Sequence, residues 1–150
     1  MDDLDHMRRA IELARARLGR TGANPAVGCV IVAEGQIVGE AATAEEGRPH
    51  AEEQAVALAG ARASGAVVYV TLEPCGARSS GEPSCAERLA AAGVARVLIA
   101  CQDPSPKASG QGIARLRAAG VDVRSGVLAD EAERLYAEYR ARLARASINR

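Results

Sequence analysis

The chain has 150 residues, 48% of them hydrophobic and 25% charged, with 19 cationic side chains against 19 anionic ones. That length suits one soluble domain, 1–150, with a single sizeable core, and no apolar run reaches the ~18 residues of a membrane span. With no Phe, no Trp, three Tyr and no net charge, the chain lacks the basic groove and aromatic platforms of a single-strand nucleic-acid binder. A small polar substrate fits it better.

Residues 4–18 carry Leu4, Met7, Ile11, Ala14 and Leu18 near a helical period, with Asp2 or Asp3 placed to cap them. This start is acidic and then amphipathic. It lacks the basic, apolar and small-residue regions of a secretory signal, so a cytoplasmic location is expected. His6 falls in this first turn and reads as a solvated polar residue. GRTGANPA breaks the helix. VGCVIVAE and QIVGEAAT follow, joined through Gly35, and read as a β-hairpin.

After the loop GRPH, residues 50–63 read as a helix. AVVYVTL, residues 66–72, is a short continuous apolar run of the kind found in central strands. A loop rich in Gly, Ser and Pro follows, then a helix over 84–92 stopped by Gly93. VARVLIA is a second buried strand and QDPSPKASG a loop. GIARLRAA is a helix stopped by Gly120, and VDVRSGV a last strand. Asp130 is placed to cap a helix running to about Ala146, with Leu135, Tyr136, Tyr139 and Leu143 on or near one face. The order αββαβαβαβα predicts one mixed five-stranded sheet, parallel after the hairpin, with helices on both faces in a three-layer α/β/α sandwich.

Four cysteines in a cytosolic chain argue against a disulfide framework. Cys29 and Cys101 lie in apolar strand-like runs and read as small buried hydrophobes. Cys75 and Cys85 differ, because they flank the loop that follows the third strand, with nine residues between them. His50 stands at a predicted helix start. In an open α/β sheet, such strand ends and helix starts converge on one edge.

One imidazole and two thiolates are good zinc ligands. Three protein ligands leave a fourth tetrahedral position open, which is the pattern of catalytic rather than structural zinc. A water there reaches a pKa of ~7, and a neighbouring carboxylate can carry its proton to the substrate. Glu52, two residues after His50, is that carboxylate; the bland alternative is a surface helix glutamate like Glu53. H-A-E at 50–52 and P-C at 74–75 match the zinc nucleobase-deaminase pattern. The second cysteine departs from it, since that pattern places two residues between the cysteines.

With these motifs in view, the sequence resembles the pyrimidine deaminase domain of the riboflavin biosynthesis deaminase–reductases, the RibD family, within the cytidine deaminase-like superfamily. The resemblance rests on ANPAVGCVIV (23–32), GRPHAEEQAV (47–56), VYVTLEPC (68–75), the separated second cysteine and the run from Cys101 to Leu128. It covers nearly the whole chain without the reductase domain.

It implies the cytidine deaminase-like fold and one zinc per chain held by His50, Cys75 and Cys85, with Glu52 as the catalytic proton shuttle. It also implies hydrolytic deamination of 2,5-diamino-6-ribosylamino-4(3H)-pyrimidinone 5′-phosphate. Asn24 and Asp103 match polar positions at the pocket edge and are expected substrate contacts. Otherwise they are residues of Asn-Pro and Asp-Pro turns. The family assembles through this domain, so a homodimer or homotetramer is expected, with a separate reductase if the chain stands alone.

The cysteine loop departs from the family. It reads CGARSSGEPSC where CSHxGRTPPC is usual, with Ala77 in place of a histidine. Arg78 is the residue that would take over the missing basic role toward the substrate. The loop keeps open a related zinc deaminase acting on another nucleoside or modified pyrimidine. A non-catalytic zinc-binding scaffold is the second alternative.

Overall fold

A computed structural model describes residues 2–78, 80–105 and 108–148. Ser79 of the cysteine loop, and Pro106 and Lys107 of the loop expected over 102–110, lie outside the described residues. The elements are α1 (Asp3–Arg15), β1 (Gly28–Ala33), β2 (Gln36–Ala42), α2 (Ala51–Ala59), β3 (Val67–Leu72), α3 (Cys85–Ala91), β4 (Arg96–Cys101), α4 (Gln111–Ala118), β5 (Asp122–Ser125) and α5 (Ala129–Ile148). The sheet order is β2-β1-β3-β4-β5. β1 is antiparallel to both β2 and β3, while β3, β4 and β5 run parallel. The element order, the mixed sheet and the parallel half are those expected from the sequence.

Two glycines show how the layers close on the sheet. A Cβ on Gly28 would stand 1.8 Å from the carbonyl oxygen of Ala10 in α1. A Cβ on Gly39 would stand 2.4 Å from the carbonyl oxygen of Ala55 in α2. Gly28 pairs with Ala42 and Gly39 with Ile31, so these two glycines point to opposite faces. α1 therefore covers one face and α2 the other, each at backbone contact distance. α5 packs beside α1, while α3 and α4 continue the α2 layer. The core between them is built from Met7, Ile11, Val30, Val70, Ile99 and Leu116, each 2% exposed or less.

Asp2 is the N-cap of α1: its carboxylate accepts the Asp5 N–H at 2.9 Å and the Asp5 carboxylate accepts the Asp2 N–H at 3.0 Å. Three expectations need correction. Helix α2 ends at Ala59 and continues to Ala63 only as a 3₁₀ turn. Asp130 lies inside the first turn of α5 rather than capping it. His6 is not solvated: it is 4% exposed and its ring packs against Tyr69 at 5.0 Å between centroids. Tyr69 comes from β3, 63 residues away in sequence, so no local pattern around His6 announces the contact. Among the described residues no helix is long and apolar enough to cross a membrane.

Candidate active site

Four segments meet at the edge where β3 and β4 end, the edge at which open α/β sheets bind ligands. The turn before β1 brings Asn24, the start of α2 brings His50 and Glu52, the end of β3 brings Cys75, and the end of β4 brings Asp103. The antiparallel β1–β3 pairing puts the start of β1 beside the end of β3, which is why Asn24 arrives there. A cavity of about 170 Å³ is lined by all five of these residues. A larger groove of about 600 Å³ between α3 and α4, lined by alanines such as Ala86 and Ala114, holds none of them.

Cys85 closes the inner wall. It is the first residue of α3, after the N-cap Ser84, and is fully buried. Its backbone N–H donates to Cys75 Sγ at 3.2 Å, and the Ala86 N–H donates to the Cys75 carbonyl at 3.0 Å. Cys85 Sγ lies 3.3 Å from His50 Nδ1. The ligand atoms of His50, Cys75 and Cys85 all lie within 4.8 Å of one another. A tetrahedral ion with Zn–N and Zn–S bonds of ~2.0 and ~2.3 Å needs an N···S edge of about 3.5 Å, so the His50–Cys85 pair already stands near that spacing and the donor set suits zinc. Both cysteines are free thiols rather than a disulfide.

The two thiols titrate in opposite directions. The hydrogen bond from Cys85 carries Cys75 down to about 3, helped by His50, the Cys85 N–H and Arg78. The same bond and burial push Cys85 far up. One thiolate is thus already stabilised, and thiolate is the form a metal binds.

Glu52 is 4% exposed, and burial pushes its carboxyl up to about 7. It is not a surface glutamate, and Glu53, expected to be one, is half-buried against Arg78. A carboxyl poised there at neutral pH can both accept and return a proton. Asp103 is raised, again by burial first, and its Oδ1 accepts the Ser105 N–H at 2.8 Å. Asn24 donates through Nδ2 to the Gly47 carbonyl at 2.9 Å, which orients its amide at the cavity edge.

Arg78 goes elsewhere. Its side chain is 5% exposed, and its guanidinium donates to Glu53 and lies 3.2 Å from His50 Nδ1 and 3.6 Å from Cys85 Sγ. It backs the inner wall instead of lining the cavity, because the Glu53 carboxylate, held against the His50 N–H at 3.3 Å, is the nearest anion.

Two polar lining residues were not expected. Glu73 precedes Pro74–Cys75, and Tyr139 comes from α5. The period of α5 puts Tyr139 on or near a buried face, but periodicity cannot tell a core position from a cavity wall. Glu73 reads in sequence as one polar residue closing an apolar strand.

Residues 1–101 match the family model described as the cytidine and deoxycytidylate deaminase zinc-binding region. The riboflavin biosynthesis protein RibD of Escherichia coli K12 is 49% identical over 135 residues, covering 90% of this chain and 36% of that protein. The diaminohydroxyphosphoribosylamino-pyrimidine deaminase of Buchnera aphidicola is 44% identical over 133 residues, covering 89% of this chain and 90% of that protein. Among solved structures, RibD of Acinetobacter baumannii superposes with a TM-score of 0.88 at 44% identity, over 94% of this chain and 39% of that one. The chain therefore spans little more than a third of the RibD relatives it matches and nearly the whole of the Buchnera protein.

Proposed function

The chain belongs to the cytidine and deoxycytidylate deaminase zinc-binding family, on its riboflavin-biosynthesis branch, and from that premise we propose that it hydrolyses the ring amino group of 2,5-diamino-6-ribosylamino-4(3H)-pyrimidinone 5′-phosphate. The observation that carries the reading is the meeting of His50, Cys75 and Cys85 with a buried Glu52 on one cavity. Relatives named for this deamination over most of the chain supply the substrate.

In this reading His50 Nδ1, Cys75 Sγ and Cys85 Sγ hold one zinc ion per chain. When bound, the ion supplies the Lewis acidity that brings a water molecule's pKa down to ~7. Glu52 takes one proton from the attacking water on a carboxylate oxygen and gives it to a ring nitrogen as the C–O bond forms, then takes the second proton from the new hydroxyl and gives it to the amine. The C–N bond breaks as the C=O forms, and ammonia leaves. Asn24 and Asp103 orient the pyrimidine from the cavity edge, and Tyr139 covers it from α5. Cys85 is buried behind the cavity, while Cys75 is half-buried and lines it.

Arg78 turned onto Glu53 favours a second reading, a related zinc deaminase for another nucleoside or modified pyrimidine, since that arginine offers the substrate no charge in this arrangement. The scaffold reading is disfavoured by Glu52, whose buried position in the cavity suits a proton carrier. We propose further that residues 1–150 act as one zinc domain. We also propose that the protein is a cytoplasmic homodimer or homotetramer.

The test is ammonia release by the zinc-loaded chain from the diaminopyrimidine phosphate, with cytidine and cytosine in parallel. Release from the phosphate alone supports the first reading; release only from the others moves the assignment to the second. Substituting Glu52→Gln should lower turnover at least ~100-fold while one zinc per chain remains. Equal turnover in that variant would remove Glu52 from the mechanism.

A further inference from the structure

The loop from β4 to α4 carries Asp103 to the cavity, and what holds that loop is unusual. α4 has Gly110 as its N-cap, which has no side chain to accept the free N–H groups of the first turn. Glu73 supplies the missing acceptor from another element. Its Oε1 accepts the Asp103 N–H at 3.1 Å and the Gly110 N–H at 3.0 Å, and its Oε2 accepts the Ile113 N–H at 3.1 Å. A carboxylate at a helix N-terminus also complements the helix dipole.

Glu73 is only 4% exposed, so the capping is made inside the protein. Glycine lets the parts approach. A Cβ on Gly112 would stand 1.8 Å from the Pro74 carbonyl oxygen, and one on Gly76 would stand 2.9 Å from Gln111. Glu73 is also one residue from Pro74 and two from Cys75 along the chain. One carboxylate therefore joins the strand end bearing Cys75 to the loop bearing Asp103.

We propose that Glu73 is a positioning residue: it caps α4 from β3 and thereby sets Asp103 at the cavity wall, controlling substrate affinity through Asp103 rather than by touching the reacting atoms. The part of this inference that concerns substrate rests on the deaminase reading above. The part that concerns the loop does not.

The test uses the zinc-loaded full chain with Glu73→Gln, Asp103→Ala and the double substitution. Glutamine keeps one acceptor oxygen but turns an NH₂ donor toward an N–H donor, so part of the cap is lost at little change in volume. Amide exchange at Asp103, Gly110 and Ile113 should accelerate at least tenfold in Glu73→Gln, while Val70 in β3 stays protected. Zinc content should remain one per chain. KM should rise roughly 10- to 100-fold with kcat within about threefold, as for a misplaced orienting group. In the Asp103→Ala background, Glu73→Gln should add little to KM, because the two act through one contact.

Unchanged exchange at those three amides would overturn the proposal. So would KM effects that multiply independently in the double variant, or a loss confined to kcat and zinc. If Glu73→Gln does not fold, Glu73→Asp, a shorter carboxylate, takes its place with the same readouts. Failure of the wild type to release ammonia would sink the deaminase reading, and amide exchange would still decide the role of Glu73.

Discussion

Gly112→Ala sets two known effects against each other. Gly112 is the second residue of α4, and its φ is not in the left-handed region, so alanine suits the backbone there. Helix propensity alone favours the substitution by up to about 1 kcal/mol. Against this, the new Cβ would lie 1.8 Å from the Pro74 carbonyl oxygen and 2.9 Å from its carbon. An ordinary C···O approach is about 3.3 Å, so α4 and the Pro74 segment must separate by about 1.5 Å. Both partners are main chain, and no side-chain rotation can absorb the shift.

A displacement of that size would stretch the Glu73 bonds to Asp103, Gly110 and Ile113 from 3.0–3.1 Å past hydrogen-bonding range. Each such bond is worth about 1 kcal/mol, and overpacking adds about 1–3 kcal/mol. The clash should win, leaving a net loss of roughly 3–5 kcal/mol. For a chain of this length that is a fall in Tm of about 6–20 °C. Calorimetry and urea unfolding of the zinc-loaded protein measure it. An unchanged or raised Tm would show that the backbone contact is softer than argued, and that propensity decides at this position.

Other perturbations read separate parts of the fold. A directed chain of hydrogen bonds ties three elements beneath the cavity: Gly28 N–H to Thr71 Oγ1, Thr71 O–H to Tyr136 Oη, and Tyr136 O–H to the Ala26 carbonyl, at 3.0, 2.7 and 2.9 Å. Tyr136→Phe leaves the Thr71 O–H without its acceptor and the Ala26 carbonyl without its Tyr136 donor and should cost about 1–3 kcal/mol, read as a lower urea midpoint at unchanged slope. The Glu40 carboxyl is held below its ordinary value by the hydrogen bonds from Arg9, at 3.0 and 2.6 Å. Because the folded value is depressed, its contribution is present above pH 4.5 and fades as pH falls through the folded value. Both side chains are partly exposed, so Glu40→Gln should cost no more than about 1 kcal/mol near neutrality, and the gap from wild type should close in acid; a gap that widens on acidification would contradict the assignment. Arg78→Met should weaken zinc binding roughly 10- to 100-fold in a competition with a chromogenic chelator, since it removes the cation beside Cys85 Sγ and frees Glu53; unchanged affinity would make Arg78 a packing residue only.

What the sequence shows of the fold follows from how local each signal is. The runs 66–72 and 94–100 are rich in apolar residues and hold β3 and most of β4, and Gly93 and Gly120 each stand two residues beyond the last residue of their helix. Those boundaries need no tertiary partner, and they are legible. His6 is the opposite case. A histidine among Asp5, Arg8 and Arg9 reads as solvated, yet Tyr69, arriving through the sheet, buries it. Gly28, Gly39 and Gly112 likewise look like ordinary strand and helix glycines. Their reason, a backbone at less than van der Waals distance from a Cβ, exists only once the layers have packed.

The candidate site divides along the same line. His50, Glu52 and Cys75 are legible because a metal's chemistry dictates residue types, and topology sends strand ends to one edge. Cys85 is legible only through the helix start that follows its loop. Glu73 and Tyr139 are not legible, because their roles are relations rather than types. Glu73 matters because a glycine thirty-seven residues later lacks a cap, and Tyr139 because α5 folds back over the edge of the first hundred residues. Arg78 shows the limit most sharply. Its charge and its place in the loop suit a substrate anion, and only the position of Glu53 decides otherwise. A half-buried carboxylate already paired with the guanidinium competes at short range, whereas a substrate phosphate must first be desolvated to reach it. The inward-facing arginine therefore follows from the glutamate that the first turn of α2 places beside it, and under the proposed function the choice of substrate would fall to residues that line the cavity, Asn24, Asp103 and Tyr139.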